Sequence, residues 1–319
     1  MHELLKKERE LTLVQPPFIT HGARHQARAT RLLLRGLVHG GQGIAEATDL
    51  KVSPLQSPAC GVRVADGSAI VHGARPWQGA YGQINIGDAL VDIEPTGPFA
   101  RTDLLVLRVE DPEYEGDRDP ACGDIGYFHV IQGVAPETVE VPEGMSAIPL
   151  ARISLPRDTA TVTAGMITDL RRLANARYQH RVLTAWPTTR QRLPGELGRW
   201  TAWPTEAAWD VEVPAWASQA TITVTISGLS VEDGSLRARM RTTLGEAKGK
   251  SALIDSEQGP ASHLFTALAH TYVLPPGQRG RTQRLAVQTN QHADSGQGGL
   301  YVDRYAAIVA TIDFAESPE

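Results

Sequence analysis

An acidic run between two predicted strands is the nearest approach in this sequence to a metal-binding motif. Its carboxylates recur around a glycine, as at the start of a calcium-binding loop, and the run consists of Asp111, Glu113, Glu115, Gly116, Asp117 and Asp119. Cys122 stands where the closing bidentate glutamate is needed, and Pro112 and Pro120 interrupt the run. Because the flanking segments favour strands over helices, we expect a hydrated acidic loop and not a calcium site.

Motifs for catalysis or nucleotide binding are weak throughout the sequence. There is no Gly-x-Ser-x-Gly nucleophile elbow, no complete phosphate-binding loop and no paired set of cysteine ligands. His263 and His270 lie seven residues apart on a predicted strand, so the period of two places them on opposite faces. None of the 36 acidic residues stands out as a glycosidase carboxylate. We assign no catalytic, cofactor-binding or metal-binding residues and expect a protein that is not an enzyme, although convergent triads need no sequence motif.

Tryptophan and arginine side chains form the best candidate interaction site. Five of the six tryptophans lie close together in the second half of the chain, and three arginines alternate with apolar residues further on. The candidate residues for a glycan-binding site or a subunit interface are Trp186, Trp200, Trp203, Trp209, Trp216, Arg237, Arg239 and Arg241. Tryptophan can stack on sugars or anchor an interface, and arginine can bind anionic groups. Core packing is nevertheless the commoner role for such tryptophans, and a solvated sheet face is commoner for such arginines.

The composition indicates two globular domains that are rich in strands. The 319 residues include 30 glycines and 21 prolines, which favour tight turns, and 41% are hydrophobic. A net charge of −5 argues against nucleic acid and anionic membranes as partners. Two cysteines, Cys60 and Cys122, are too few for a disulfide framework, and their pairing stays open. The charged segment Met1–Glu10 is unlike a signal peptide, and no apolar run is long enough to cross a bilayer, so we expect a soluble protein.

The first half predicts an N-terminal arm, one helix and a β-rich domain. Residues 1–48 form the arm, with the helix over Ala23–Leu37, and residues 49–165 form the domain. Asp66-Gly67 between apolar stretches predicts a hairpin, and Leu104–Val109 predicts a strand buried on both faces. Further strands are expected at Tyr127–Ile131 and at Ile148–Leu155, where Pro149 requires an edge or a bulge.

The second half predicts a short linker helix followed by an antiparallel β-sandwich. Residues 166–179 lack proline and glycine and favour the helix, and residues 180–319 form the sandwich, which we expect to be jelly-roll-like. Ile222, Val224 and Ile226 alternate with threonines, which is typical of a half-buried strand. The remaining strands are expected at Leu236–Arg241, Leu264–Leu274, Arg284–Thr289 and Tyr305–Phe314.

Several segments of the first half, taken in order, resemble minor tail proteins of actinobacterial siphophages, which form tail tips, baseplates or upper tail fibres. The segments that carry the resemblance are Leu11–Pro16, Val62–Gly73, Arg101–Val109 with Asp111-Pro112, Gly133–Pro136, Ile148–Arg152 and Met166–Arg172. Together they cover about residues 11–174, and their order is more specific than any one of them. The resemblance supplies no catalytic residues. Arg101 and Asp103 are instead expected to neutralise each other on one face of a strand.

The resemblance implies a structural virion protein of a phage tail tip or fibre. Such a protein docks onto other tail proteins through its N-terminal region, assembles with copies of itself, with a trimer favoured, and presents its distal β-sandwich for host attachment. One alternative is a receptor-binding protein that recognises a host surface glycan through the candidate tryptophans and arginines. A less favoured alternative is an enzyme that degrades envelope polysaccharide. The second domain resembles no particular family, so its role follows only by analogy.

Overall fold

Strands dominate the protein, as the computed structural model shows for residues 26–57, 59–194, 198–256, 262–292 and 295–319. Only the backbone is described for residues 262 and 263. The mainly β fold predicted from the sequence is confirmed. Two compact units divide the chain: Met1–Asn175 with Pro318–Glu319, and Ala176–Ser317. The last two residues, which we expected in the second domain, therefore group with the first unit.

The first unit contains one α-helix, two single-turn 3-10 helices (Pro76–Gln78 and Ala164–Met166) and ten strands within the described part of its chain. The α-helix and the strands are α1 (Ala27–Leu37), β1 (Gly43–Ile44), β2 (Val52–Pro54), β3 (Gly61–Val64), β4 (Gly67–His72), β5 (Ala80–Asn85), β6 (Ala89–Asp92), β7 (Arg101–Val109), β8 (Gly126–Ile131), β9 (Ala147–Leu155) and β10 (Ile167–Asp169). The predicted helix is confirmed from Ala27 onward, whereas residues 23–25 lie outside the described part. It buries Ala29 and packs against β5.

Three antiparallel sheets enclose the core of the first unit. Their strand orders are β1-β4-β5, β2-β3-β6 and β10-β9-β7-β8. The predicted central strand is confirmed as β7, in which Leu104 and Leu105 point to opposite faces and are both fully buried. Opposite β7, the register shifts so that Leu105 faces Ala151 and Val106 faces Pro149. The extra residue forms a bulge, as expected for a strand that contains a proline.

The hairpin that we expected at Asp66-Gly67 is wrong. β3 pairs with β2 and β6, whereas β4 pairs with β1 and β5, so the chain passes from one sheet to another at this point. Gly67 has a φ of 142°, and a Cβ there would lie 2.6 Å from the Cβ of Asp49. An Asp49 carboxylate oxygen accepts a hydrogen bond from Ser68 N at 3.0 Å. This contact with an earlier part of the chain fixes the start of β4, and the local Asp-Gly signal does not contain it.

The linker helix that we expected over residues 166–179 is also wrong. Ile167–Asp169 forms β10, antiparallel to β9, and a strand of the second unit begins at Tyr178. The side chain of Arg171 is fully buried, where its Nη2 lies 2.8 Å from Asp169 Oδ2 and its Nη1 donates to Asp49 O at 2.5 Å. Side chains two residues apart meet on an extended backbone but not on a helix. These tertiary contacts override the helix propensity of the segment.

The second unit consists of strands joined by short turns. They are β11 (Tyr178–Ala185), β12 (Gln191–Arg192), β13 (Thr201–Ala202), β14 (Ala208–Glu212), β15 (Gln219–Glu232), β16 (Leu236–Leu244), β17 (Ala247–Lys248), β18 (Ala252–Ser256), β19 (Ser262–Val273), β20 (Thr282–Gln291), β21 (Gly299–Val302) and β22 (Ala307–Ala315). One antiparallel sheet has the order β11-β22-β15-β21-β12, with β19 also paired to β15. The other has the order β13-β20-β16-β17, with β14 on β20 and β18 on β16.

One continuous core lies between these two sheets, which confirms the sandwich. Ile222, Val224 and Ile226 of β15 are fully buried and belong to the same cluster as Ala238 and Met240 of β16. The predicted alternation on both strands is therefore confirmed. Across the described ranges of the chain, no helix is long and apolar enough to cross a membrane.

Candidate functional site

The five candidate tryptophans do not form one surface. Trp203 is 2% exposed and belongs to the core; its backbone N–H donates to Val287 O at 3.1 Å, whereas its indole Nε1 is buried without a hydrogen-bond partner. Trp209 and Trp216 are partly buried against the same core. Trp186, at 55% exposure, lies just beyond the end of β11. Core packing therefore accounts for Trp203 and for one side of Trp209 and Trp216, whereas Trp186 and the partly buried Trp200 lie outside the core cluster.

The three candidate arginines share the outer face of β16, as the alternation predicts. Arg237 forms an ion pair with Asp255 of β18, with Nη2 and Oδ2 2.7 Å apart. Arg239 is exposed, and its Nη2 lies 3.1 Å from His292 Nε2. Both contacts are on the exposed side of the sheet. This part of the arginine row is therefore a solvated sheet face whose charged groups contact residues of the same unit.

Arg241 joins the arginine row to Trp200. Its guanidinium carbon lies 3.9 Å from the centre of the Trp200 ring, and its Nε and Nη2 donate to Gln288 Oε1 at 3.1 and 2.8 Å. Burial lowers the pKa of this guanidinium from its ordinary value. Because an arginine stacked on tryptophan leaves other ring and N–H groups available, this pair can take part in binding a polar, ring-shaped ligand.

The acidic run is gathered onto helix α1 by Arg31, in what we call the Arg31 cluster. Arg31 Nη1 lies 3.2 Å from Asp111 Oδ2, and Nη2 donates to Glu113 Oε2 at 2.7 Å and to the Tyr114 hydroxyl at 2.9 Å. Its Nε donates to Gln78 O at 3.0 Å. Asp111 is only 8% exposed, so a hydrated loop is wrong for this end of the run. The carboxylates of Asp111 and Glu113 therefore anchor helix α1 through Arg31.

Tyr81 and Gly79 complete the Arg31 cluster. The Tyr81 hydroxyl donates to Asp111 Oδ2 at 2.9 Å, and burial together with this contact raises the pKa of Tyr81. Gly79 has a φ of 87°, and a Cβ there would lie 2.5 Å from the carbonyl carbon of Arg31. The helix therefore rests directly on the backbone at Gly79. One signal in the sequence could have indicated this contact: Arg28, Arg31 and Arg35 recur at helical spacing, which places them on one side of the helix.

Glu110, which directly precedes the acidic run, is held by contacts with nearby residues. Glu110 accepts hydrogen bonds from the Tyr127 hydroxyl at 2.8 Å and from Arg118 Nε at 3.0 Å, and its Oε1 lies 2.8 Å from Arg108 Nη2. Burial raises the pKa of Glu110, but these contacts more than offset burial and leave the pKa below its ordinary value. The guanidinium of Arg118 also stacks on the Tyr127 ring, 3.7 Å from its centre.

Ion pairs within each unit engage several strongly buried charges. Asp103 is fully buried and accepts hydrogen bonds from Arg101 Nε at 2.8 Å, which confirms the predicted neutralisation of this pair. Glu316, with a side chain 2% exposed, is bound by Arg177 at 2.5 Å. Burial raises the pKa of Glu316, but the hydrogen bonds from Arg177 more than offset burial and leave it below its ordinary value. Asp103 also accepts a hydrogen bond from Gly133 in the loop after β8, and the Arg177–Glu316 pair joins the residues next to β11 and β22.

The remaining candidate groups stay apart. Cys60 and Cys122 are both free, and Cys122 is exposed. Among the described residues, no three His, Cys, Asp or Glu side chains are placed to hold a metal ion. His270 stacks edge-on against Tyr272, whereas the side chain of His263 lies outside the described part. Gly249-Lys250-Ser251 matches the end of a phosphate-binding loop, but it lies between two short strands and no helix follows it.

A groove of about 440 Å³ in the first unit lies beside the bulged strand β9. Aliphatic groups of Val141, Ile148 and Leu170 form its walls, and Glu140 and Arg172 are on its rim. None of the candidate tryptophans and arginines lines it. The groove could accept an aliphatic group, and no feature of its lining selects a particular ligand.

Comparisons with known proteins add little. No family model matches the sequence, and no curated protein matches it. Similar solved structures include infectious bursal disease virus of the Gx strain, at 8% identity and a TM-score of 0.26 over 86% of this chain and 75% of that chain. They also include the VP2 subviral particle of the same virus, at 10% identity and 0.26 over 87% and 74%. The insecticidal delta-endotoxin Cry8Ea1 of Bacillus thuringiensis has 8% identity and 0.22 over 85% and 51%. At such TM-scores these similarities carry no argument about the function of this chain.

Proposed function

We propose that this chain is a structural, non-catalytic component of a phage tail tip or tail fibre. The first unit attaches to other tail proteins through its N-terminal region, and the sandwich of the second unit is presented distally for host attachment. The observation that carries the proposal is a coincidence of boundaries. The resemblance to siphophage minor tail proteins covers about residues 11–174, and the first compact unit ends at Asn175. All the segments that carry the resemblance thus lie within one structural unit.

The use of charge in the molecule also supports a structural role. The guanidinium groups of Arg31, Arg101 and Arg171 are buried or mostly buried, and each forms an ion pair with a carboxylate of the same unit. An arrangement that separated such a pair would leave a buried charge without its partner, so these ion pairs disfavour other arrangements of the strands and the helix. Glu113 of the acidic run and the neighbouring Glu110 are likewise paired with arginines. A rigid scaffold suits a component that transmits force or position along a tail.

Localisation in the virion is the direct test of this proposal. Virions whose genome encodes this sequence would be purified and labelled with gold-conjugated antibodies against the protein. We expect label at the end of the tail distal to the head, and detection of the protein by mass spectrometry of the particles. Label on the head, or absence from purified virions, would overturn the proposal. Incubation with isolated host cell wall should release no reducing sugar, and release would favour an envelope-degrading enzyme.

A host-glycan receptor is a second candidate, favoured by the contact between Trp200 and Arg241. Together with Gln288, these residues offer a ring, a guanidinium and an amide on one outer sheet face. Trp200→Ala should abolish binding of the protein to host cell-wall glycan, whereas Trp186→Ala, which changes an exposed ring elsewhere, should not. Equal binding by both variants would remove this candidate. Replacement of Trp203 is unsuitable as a test because its ring belongs to the core.

A further inference from the structure

The outer face of one sheet of the second unit is almost free of charge. Strands β11, β22, β15 and β19 lie side by side, and directly paired residues point to the same face. One row across the four strands consists of Val182, Thr311, Thr223 and Ala269. The three neighbouring rows are Tyr178-Ala315-Gln219-Val273, His180-Asp313-Thr221-Thr271 and Thr184-Val309-Thr225-Ala267. We call this surface the β15 face.

Apolar side chains stand exposed on the β15 face. The exposed fraction is 54% for Val182, 63% for Tyr178 and 74% for Val273, and Phe265, further along β19, is 69% exposed. An antiparallel sheet that faces water normally places charged and polar groups on that side. The residues of these strands that point the other way, such as Ile222 and Ile312, fill the core. The β15 face is therefore an outer surface with the composition of an interface.

The other sheet of the same unit provides an internal comparison. Its outer face carries the row Arg237, Arg239 and Arg241, with Asp255 on β18. Leu253, which pairs with Arg239, is 55% exposed there and is surrounded by these charges. A single unit thus has one charged face and one nearly uncharged face. The difference is between two sheets of the same fold, so sheet geometry alone does not explain it.

Charge on the four rows of the β15 face is confined to one pair. His180 Nδ1 lies 2.7 Å from Asp313 Oδ1, and the Tyr178 hydroxyl also donates to this carboxylate. The described rows contain no other Asp, Glu, Lys, Arg or His. Because the carboxylate has its partners within the face, a surface that packs on it need not supply a countercharge.

The size of the β15 face suits an interface between proteins. Strands lie about 4.8 Å apart, and residues on one side of a strand recur about every 6.7 Å. Four strands and four rows then give a planar footprint of about 500 Å², before the relief of the side chains is counted. Small specific interfaces bury about 600 Å² per partner. The face alone approaches that size.

We infer that the β15 face packs against the same face of a second copy of this chain. A surface whose one charged pair is satisfied within it can pack against a copy of itself, whereas a charged partner would lose hydration without gaining a countercharge. Two such sheets can stack about 10 Å apart with their side chains interdigitated. Contact between the same face on both partners has two-fold symmetry. The inference rests on the proposed structural role, because it names the surface through which copies assemble, and it replaces the favoured trimer by a dimer or a multiple of dimers.

A matched set of charge substitutions tests the inference on the full chain. Val182→Glu places a carboxylate on the β15 face, and Leu253→Glu places one at an equally exposed position on the other sheet. The mass of each protein would be measured by light scattering behind size exclusion and by sedimentation from about 1 to 100 µM. We expect dimers for the unmodified chain and for Leu253→Glu. For Val182→Glu we expect a dissociation constant at least ~100-fold higher, since each copy would bury an unpaired charge.

Two further measurements guard against a folding artefact. Thr271→Glu changes an exposed residue of β19 on the same face and should dissociate the dimer in the same way. Far-ultraviolet circular dichroism should be the same for all four proteins.

Raising the salt concentration to 0.5 M should change the dimer affinity by less than about threefold, because no ion pair crosses the contact.

The outcomes that would overturn the dimer contact differ from those that would overturn the proposed structural role. A monomer at 100 µM, a trimer, or equal dissociation of the Val182→Glu and Leu253→Glu variants would overturn the inference. None of these results would remove the protein from virions, so the proposed structural role would stand. Conversely, a dimer that Val182→Glu dissociates, in a protein absent from virions, would keep the inference and overturn the proposed role.

Discussion

Arg101 and Asp103 lie two residues apart on β7 and form a two-pronged ion pair along one side of the strand. Arg101 Nε lies 2.8 Å from Asp103 Oδ1, and Nη2 lies 2.8 Å from Oδ2. The carboxylate is fully buried and also accepts a hydrogen bond from Gly133 N at 3.1 Å. Asp103 therefore joins the start of the central strand to the loop that follows β8. The pair is structural, because every contact of the carboxylate stays within the scaffold.

Removal of this carboxylate should destabilise the first unit strongly. Asp103→Ala leaves the partly buried Arg101 and the Gly133 amide without their acceptor, which should cost about 3 kcal/mol. Urea unfolding followed by circular dichroism would measure the change. Asp88→Ala is the control, because Asp88 and Arg63 form an exposed ion pair in the same unit, and its loss should cost less than about 1 kcal/mol. Equal effects of the two substitutions would contradict a structural role for the buried pair.

The Arg31 cluster should control the attachment of helix α1. Arg31→Lys keeps the charge but cannot reach Asp111, Glu113 and the backbone of Gln78 together, because lysine lacks the forked guanidinium. We expect amide exchange over Ala27–Leu37 to become at least about tenfold faster. Hydrogen exchange with mass spectrometry would measure this change. Arg28→Ala is the comparison, since its contacts with Trp77 are exposed and should matter little. Unchanged exchange in Arg31→Lys would show that apolar packing alone holds the helix.

Trp200 and Trp203 should differ sharply in their contribution to stability. Trp203→Ala empties a core position and should lower the free energy of unfolding of the second unit by about 3–5 kcal/mol. Trp200→Ala loses mainly the stacking on Arg241, which is worth about 1 kcal/mol. The remaining tryptophans lie mostly in the second unit, so their fluorescence in urea reports its unfolding. Comparable losses for the two variants would mean that Trp200 also serves the core.

The sequence predicted features that depend on neighbouring residues and missed those that depend on distant contacts. The alternation on β15, the bulge at Pro149 and the pairing of Arg101 with Asp103 are all encoded within a few positions. The sheet change at Gly67 and the extended segment around Arg171 both depend on Asp49, far away in the chain. Local propensity for a hairpin or a helix could not reveal that shared partner.

The candidate site shows the same limit. Neighbouring tryptophans in the sequence predicted a cluster, but of the two that flank β13, Trp203 lies in the core and Trp200 stacks on Arg241 at an outer face. The uncharged β15 face could be recognised only after the pairing of β11, β22, β15 and β19 was known. Each of these strands, taken alone, has the ordinary pattern of a half-buried strand.

Glu316 should make the second unit sensitive to acid. Because the pKa of this carboxyl lies below its ordinary value in the folded protein, the stability it contributes is complete above the unfolded pKa, about 4.3, and is lost as the pH falls through the folded pKa. Glu316→Gln should therefore be about 2 kcal/mol less stable than the unmodified protein at pH 6, and the difference should shrink towards pH 3. Tryptophan fluorescence in urea at pH 6, 4 and 3 would measure it. Other carboxylates titrate in both proteins and cancel in the difference, so a gap that stays constant from pH 6 to pH 3 would show that Arg177 stabilises the strand by packing and not by charge.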